Sequence, residues 1–174
     1  MRKLLIVFSM TLIFCGCASD QAKRLYRDAY DSYQRNELQK AESIISQLIY
    51  RDNKFVDAYI LRSVINQAND KTNLAIGDLS IALSIDKGSY LAHYDLGNIY
   101  FSQGKYREAL EQYSLSLQAR KDFANAYLNR ANASMKLREY KNALMDYRKY
   151  ASLSQDQRDN VTRLIKILER DTAS

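Results

Sequence analysis

Small and large apolar positions recur along this chain with a period of 34 residues. The alignment starts from four evenly spaced alanines: Ala41, Ala75, Ala109 and Ala143. Counting each alanine as the twentieth place defines four repeats: 22–55, 56–89, 90–123 and 124–157. The eighth place always holds a small residue: Ala29, Ser63, Gly97 and Ala131. The twenty-fourth holds a large one: Ile45, Leu79, Tyr113 and Tyr147. This period predicts an array of helical hairpins, in which small side chains let two helices approach and large ones fill the remaining space.

The pattern resembles the tetratricopeptide repeat (TPR), and the third and fourth repeats carry the resemblance best. Repeat three has these family positions: Leu96, Gly97, Tyr100, Gly104, Tyr106, Ala109 and Tyr113. Repeat four has these: Tyr127, Ala131, Tyr140, Ala143 and Tyr147. Over 22–157, the resemblance implies an all-α, right-handed α-solenoid of four 34-residue helix-turn-helix repeats.

One departure from the family concerns the turns between repeats. The family usually ends a repeat with proline, whereas this chain has none. The corresponding places hold polar residues: Asn53, Lys87, Lys121 and Gln155. We therefore expect the turns between repeats to lack a rigid element.

Residues 1–16 are typical of a secretory signal peptide, with Arg2 and Lys3 ahead of an apolar run over 4–14 and a small Gly16. The apolar run is shorter than the roughly 20 residues of a spanning helix. The end of this segment, FCGC, resembles a bacterial lipobox, which implies lipidation of Cys17, with palmitate as an expected acyl chain. The alternative is an ordinary secretory signal with incidental cysteines.

A lipid on Cys17 would hold the first repeat close to a membrane, because residues 17–21 form only a short tether. The resemblance to bacterial lipoproteins, with Ala18 after the cysteine, implies the outer membrane facing the periplasm. Removing residues 1–16 takes away two of 26 basic residues, and 24 against 20 acidic ones leave a net charge of +4. This balance, without a long basic run, argues against nucleic-acid binding.

Residues 158–174 are expected to form a capping helix and tail. Four apolar residues recur there at helical spacing: Val161, Leu164, Ile165 and Leu168. Such a helix covers the open end of a repeat array. An amphipathic helix that binds a partner is the alternative.

The residues with catalytic potential do not predict an enzyme. The single histidine, His93, stands at a bulky inward place of its repeat and is expected to pack. No Cys/His cluster has metal-ligand spacing, and no glycine-rich loop could bind phosphates. Acidic residues are expected on helix exteriors without a facing pair. We therefore expect no catalytic residue, metal, cofactor or small-molecule substrate.

The resemblance to TPR proteins implies a concave groove lined by the first helix of each repeat. The predicted groove residues are Tyr26, Tyr30, Tyr33, Ile60, Val64, Gln67, Leu91, Tyr94, Asn98, Phe101, Asn125, Leu128, Asn132 and Met135. Large exposed apolar patches usually mark interaction sites, and asparagine amides can bond a peptide backbone. This set predicts a groove for a protein or peptide partner.

Chaperone-binding TPR proteins hold a C-terminal carboxylate with a basic clamp in this groove. The clamp places hold other residues here: Tyr26, Tyr30, Leu61, Leu91 and Asp95. A carboxylate-terminated ligand is therefore not expected. The leading functional hypothesis is a membrane-anchored scaffold, pilotin-like in architecture, that assists assembly of a pilus or secretion complex. The alternative is an adaptor that recruits a periplasmic protease or cell-wall hydrolase.

Overall fold

A computed structural model describes residues 20–154 and 158–173, and within them the regular structure is helical. The helices are α1 (20–34), α2 (Leu38–Arg51), α3 (Val56–Ala68), α4 (Thr72–Ile85), α5 (Tyr90–Ser102), α6 (Tyr106–Ala119), α7 (Ala124–Lys136), α8 (Tyr140–Leu153) and α9 (Arg158–Ala173). The predicted all-α fold is therefore confirmed. The chain divides within α4 into two compact units, Met1–Asp78 and Leu79–Ser174, which we call the first and second units.

The turn between the two helices of each repeat has one recurring backbone geometry. A residue with positive φ ends every first helix: Asn36 (60°), Asp70 (59°), Gly104 (75°) and Arg138 (61°). The next residue then donates its N–H to a carbonyl five positions back, as Lys105 does to Tyr100 at 2.9 Å. The residue in the left-handed conformation thus allows backbone N–H groups to bond carbonyls that the end of the helix leaves unpaired. The even-numbered helices α2 to α8 begin 34 residues apart, as the repeat period predicts.

The first unit has a small apolar core at the junction of α1, α2 and α3. Its buried members are Ala29, Ala41, Ile45, Leu48, Ala58, Leu61 and Ile65. Ala29 and Ala41 are fully buried at the eighth and twentieth places, as the repeat pattern predicts. The small residues allow close helix approach, and Ile45 and Leu48 fill the space between the helices.

The second unit shows the tightest use of a small residue, at Gly97. A Cβ atom there would lie 2.6 Å from the Tyr113 ring, so the ring occupies the space that a side chain would need. Tyr113 is only 1% exposed, and Ala109 beside it is fully buried. The glycine in α5 therefore lets α6 place an aromatic ring across the helix pair.

Side chains of the following helix restrain the turns that lack proline. Tyr59 and Tyr127 donate their hydroxyls to the carbonyls of Asn53 and Lys121, each at 3.2 Å. His93 stands at the same place of its repeat and donates from Nε2 to the Lys87 carbonyl, also at 3.2 Å. All three carbonyls belong to residues at the expected proline position. These hydrogen bonds supply a restraint that the sequence pattern did not reveal.

Two buried aspartates correct the expectation that acidic residues lie on helix exteriors. Asp78 is 4% and Asp146 7% exposed. Asp78 accepts hydrogen bonds from Arg62 and Asn66, and Asp146 accepts two from Arg130. The two Arg–Asp pairs occupy equivalent places in repeats two and four. A buried carboxylate requires such a partner because desolvation penalises its charge.

Helix α9 covers the end of repeat four with its apolar face. Val161 and Leu168 are buried in a cluster with Ala131, Leu144 and Tyr147. Leu164 and Ile165 pack against the same cluster. The four residues that share a face in the sequence pattern therefore lie together against α7 and α8.

We predict opposite effects for two glycine-to-alanine changes. Gly97→Ala should lower the free energy of unfolding by about 1–3 kcal/mol, because the Tyr113 ring must move out of a filled space. Gly77→Ala in α4 meets no atom within 4 Å, so it should raise that energy by about 0.5–1 kcal/mol through helix propensity. Urea unfolding of both variants measures this. Equal effects would contradict the packing described at Gly97.

A second prediction concerns the positive φ at Arg138. A residue with a Cβ is strained in this conformation, whereas glycine is not. Arg138→Gly should therefore raise the free energy of unfolding by about 0.5–1 kcal/mol. Gly104→Arg, at the equivalent turn, should lower it by a similar amount. Thermal or urea unfolding tests the pair, and a loss of stability in Arg138→Gly would contradict the turn geometry.

Candidate partner-binding groove

Predicted groove residues from repeats three and four meet around one cavity in the second unit. The cavity has a volume of about 280 Å³ and is lined by Asn98, Phe101, Tyr113, Asn129 and Asn132. Asn98, Phe101 and Asn132 are predicted groove residues, whereas Tyr113 is predicted as a filling residue of the hairpin. The cavity wall therefore combines amide groups with two aromatic rings.

Core tyrosines hold the groove asparagines in place. The Tyr113 hydroxyl donates to Asn98 Oδ1 at 2.9 Å, and the Tyr147 hydroxyl donates to Asn132 Oδ1 at 2.7 Å. Both tyrosines are almost fully buried, so their rings are fixed by packing. Each bond joins the twenty-fourth and ninth places of one repeat. In both repeats three and four, a buried tyrosine hydroxyl thus orients an asparagine amide at the cavity.

Asn129 links the two helices α5 and α7 through its side-chain nitrogen. Its Nδ2 donates to Asn98 Oδ1 at 2.8 Å and to the Tyr94 hydroxyl at 3.1 Å. Asn98 Oδ1 therefore accepts two hydrogen bonds, which fill its acceptor capacity. The amide orientation of both asparagines is set by this network.

Each of these asparagines has a second polar atom besides the one described above. The described hydrogen bonds engage Oδ1 of Asn98 and Asn132 and Nδ2 of Asn129, and the other amide atoms are Asn98 Nδ2, Asn129 Oδ1 and Asn132 Nδ2. Asn98 also interacts with the Tyr94 hydroxyl, which lowers the pKa of Tyr94 against the larger effect of burial. Of these other amide atoms, two are donors and one is an acceptor. A peptide backbone offers the complementary carbonyl and N–H groups. The cavity wall can therefore hydrogen-bond an extended main chain.

Aromatic packing supports the network on one side. The Tyr94 ring lies 4.9 Å from the Phe123 ring in an edge-to-face arrangement and 6.0 Å from the Tyr113 ring. Burial raises the pKa of Tyr94 and of Tyr113, so both hydroxyls keep their protons at neutral pH. The hydroxyls can thus act as hydrogen-bond donors in the network.

Asp95 is a partly buried carboxylate beside this network. Burial raises the pKa of Asp95 to about 6. Its negative charge contributes to the raised pKa values of Tyr94 and Tyr113, after the larger contribution from burial. Among the described residues, no hydrogen bond or ion pair reaches the Asp95 carboxylate. In this respect it differs from Asp78 and Asp146.

The other predicted groove residues of the second unit have different surroundings. Leu128 and Met135 pack against the apolar cluster under α9, so they contribute to the core as well as to the α7 surface. Leu91 is partly buried, and Asn125 is exposed. None of these four lines the cavity that holds Asn98.

The predicted groove residues of the first unit form an aromatic surface. Tyr26 stacks on Phe55 with ring centroids 5.8 Å apart, and burial raises its pKa. Tyr30 is 44% exposed, and Tyr33 packs against the first core. The remaining three are less accessible: Ile60 is buried, and Val64 and Gln67 are partly buried.

A separate cavity in the second unit lies on another side of α7. Its volume is about 290 Å³, and it is lined by Leu110, Ser114, Arg130, Ser134, Glu139, Asn142, Met145 and Asp146. Arg130 and Asp146 form an ion pair in the wall of this cavity, so these two charges already have a partner. Met145 at this site is 68% exposed.

Sequence analysis missed two kinds of residue at the groove. Asn129, which lines the cavity, stands at the sixth place of its repeat, outside the predicted groove positions. Asp95 holds the same place in repeat three, where the family's clamp would have a basic residue. The repeat pattern predicts Tyr113 and Tyr147 only as filling residues of the core and gives their hydroxyls no role. A signal was present: only repeats three and four combine asparagine at the ninth place with tyrosine at the twenty-fourth.

The remaining sequence expectations concern metals, membranes and Cys17. In residues 20–154 and 158–173, no group of three or more His, Cys, Asp or Glu could hold a metal ion. No helix over those same ranges is both long and apolar enough to cross a membrane. Cys17, the predicted lipidation site, lies outside the described residues.

Comparison with known proteins places the fold among TPR-like structures. The TPR repeat family matches residues 97–138. The MamA protein has a similar structure, with a TM-score of 0.66 and 19% identity, over 82% of this chain and 78% of that one. The first TPR of Spaghetti (RPAP3), bound to the HSP90 peptide SRMEEVD, gives a TM-score of 0.62 and 18% identity, over 68% and 96%. These likenesses confirm the predicted all-α helical-repeat architecture.

Curated relatives match only part of their own length. A DnaJ homolog subfamily C member 7 homolog from Schizosaccharomyces pombe is 28% identical over 128 residues, which cover 64% of this chain and 27% of that protein. Human tetratricopeptide repeat protein 12 is 46% identical over 50 residues, or 29% of this chain and 7% of that protein. This chain therefore spans about a quarter or less of these relatives.

The matched TPR proteins share a general role. TPR repeats imply a protein–protein interaction scaffold, and TPR-repeat proteins are generally non-enzymatic. TPR domains bind peptide partners, as the RPAP3 structure with its HSP90 peptide illustrates. The finer predictions, an envelope role and a lipid anchor, remain predictions.

We predict that Asp95→Asn stabilises the protein at neutral pH. The raised pKa means that Asp95 binds a proton more tightly in the folded state than in the unfolded state. The free energy of unfolding therefore falls as the pH rises from about 4 to above 6 and Asp95 loses its proton. Asparagine should therefore raise the free energy of unfolding at pH 7.5 by about 1–2 kcal/mol, with little gain at pH 3.5. Urea unfolding at the two pH values measures the difference. Destabilisation at pH 7.5 would reveal a partner for the carboxylate.

Proposed function

We propose that this chain is a non-enzymatic interaction scaffold that holds a segment of a partner protein at the Asn98 cavity. One arrangement carries the proposal: two buried tyrosines hold the amides of Asn98 and Asn132, and both asparagines line the same cavity. An arrangement of this kind limits the side-chain entropy that binding must overcome. The two asparagine amides are therefore preorganised for hydrogen bonds to a peptide main chain.

The chemistry of the cavity favours an extended peptide segment as the ligand. Asn98 and Asn132 offer N–H donors, and Asn129 offers a carbonyl acceptor. Phe101 adds apolar area at the same wall. Rings and amides together suit main-chain hydrogen bonds combined with a few buried side chains.

The proposed ligand differs in charge from the peptide of the RPAP3 structure. That peptide, SRMEEVD, contains three acidic residues. In this chain the places of the family's basic clamp hold Tyr26, Tyr30, Leu61, Leu91 and Asp95. An acidic segment would meet a carboxylate here, so we propose a partner segment that is not acidic.

We further propose that the scaffold acts at a bacterial envelope, anchored by a lipid on Cys17, and assists assembly of a pilus or secretion complex. The support is the sequence of residues 1–17, with its basic start, short apolar run and FCGC ending. A lipid there would leave the first repeat near the membrane. Inhibition of lipoprotein processing should then leave an uncleaved precursor, visible by gel mobility and mass spectrometry.

The groove assignment is tested by Asn98→Asp combined with Asn132→Asp. Each aspartate keeps the oxygen that accepts the tyrosine hydroxyl but replaces the N–H donor with an acceptor, so folding should persist. Capture of the natural partner should weaken at least about tenfold, since two donors are lost and a carboxylate faces a carbonyl. Asn73→Asp, exposed on α4, is the matched control.

Partner capture is measured by photo-crosslinking in cells from Phe101, with Met145 as the exposed control position. A pilus or secretion component crosslinked from Phe101, and lost in the double aspartate variant, supports the proposal. A protease or cell-wall hydrolase at that position moves the role to the adaptor alternative. Crosslinks confined to Met145 would contradict the groove assignment.

A further inference from the structure

Asp95 differs from the other aspartates that the two units bury. Asp78 pairs with Arg62, and Asp146 pairs with Arg130. The Asp95 carboxylate has neither a basic partner nor a hydrogen bond among the described residues, although it is partly buried. Withdrawing a carboxylate from water without a compensating charge is unfavourable. Among the described residues, Asp95 is therefore a partly buried carboxylate whose charge no cation of this chain compensates.

The position of Asp95 connects this carboxylate to the groove. Asp95 precedes Asn98 by three residues in α5, so the two side chains lie on neighbouring parts of one helix face. It also stands at the sixth place of repeat three, and the sixth place of repeat four holds Asn129, which lines the cavity. Tyr113 lines the Asn98 cavity, and Tyr94 is bonded to Asn129 in its wall. A ligand segment that extends from the cavity along α5 would therefore approach the carboxylate.

We propose that Asp95 selects a basic side chain, lysine or arginine, from the partner segment held in the groove. The inference rests on the proposed function and specifies the charge of the segment. A cation beside Asp95 would gain a charge-assisted hydrogen bond in a partly desolvated site. The neighbouring Tyr94 ring can add a cation–π contact. The Coulomb attraction between the cation and Asp95 is stronger in this partly desolvated place than in water. A single carboxylate can therefore favour a basic side chain over a neutral one.

The experiment uses the full-length protein and a bead library of hexapeptides with acetylated N-termini and amidated C-termini. The capped ends remove terminal charges, so only side chains can supply a cation. Four proteins are compared with wild type. Two change the carboxylate, Asp95→Asn and Asp95→Lys, and one is the double variant Asn98→Asp with Asn132→Asp. The control Glu111→Gln removes a charge from an exposed place on α6. Circular dichroism melting confirms that each variant is folded.

The wild type and Glu111→Gln should enrich lysine or arginine at one peptide position. For a peptide selected in this way, Asp95→Asn should weaken binding about 10- to 100-fold, because one partner of a desolvated charge pair is removed. Asp95→Lys should enrich glutamate or aspartate at the same position. The ratio of lysine to arginine in the wild-type pool identifies the preferred cation.

Two results separate failure of the inference from failure of the proposed function. Peptides that need Asn98 and Asn132 but show no basic preference, or keep it in Asp95→Asn, would overturn the inference and leave the groove intact. If no bound peptide depends on Asn98 and Asn132, the proposed function fails and the inference fails with it.

Discussion

The structure depends on the close approach of the two helices within each repeat. In repeat three this approach is possible because Gly97 has no side chain where the Tyr113 ring lies. The ring fills the hairpin, and its hydroxyl donates a hydrogen bond to Asn98. One packing constraint therefore has two consequences, since the same tyrosine stabilises the core and orients the groove. Repeat four repeats the arrangement with Ala131, Tyr147 and Asn132.

This coupling between core and surface explains why the groove is concentrated in the second unit. In repeats one and two the twenty-fourth place holds Ile45 and Leu79, which cannot donate a hydrogen bond. Their ninth places hold Tyr30 and Val64, which need no such support. The first unit accordingly offers an aromatic surface around Tyr26 and Tyr30 instead of an oriented row of amides. The predicted groove residues of the two units therefore differ in chemistry.

Much of the fold could be predicted from the sequence, because each repeat is a local unit whose small and large positions recur at a fixed period. Of the site, Asn98, Phe101 and Asn132 were predictable from family geometry alone. The Asp95 environment was not, since burial and the lack of a partner are properties of the assembled helices. Asp78 and Asp146 show the same limit, because a pattern of charges does not reveal which arginine a folded chain brings beside each carboxylate.

The central claim is that the asparagine amides of repeats three and four meet the partner's main chain. Side-chain amide NMR of asparagine-labelled protein tests it most directly, as the peptide selected by the library is added. The account predicts shifted Nδ2–H signals for Asn98 and Asn132, with the signal of Asn142, at the other cavity, unchanged. Shifts at Asn142 with none at Asn98 or Asn132 would contradict it.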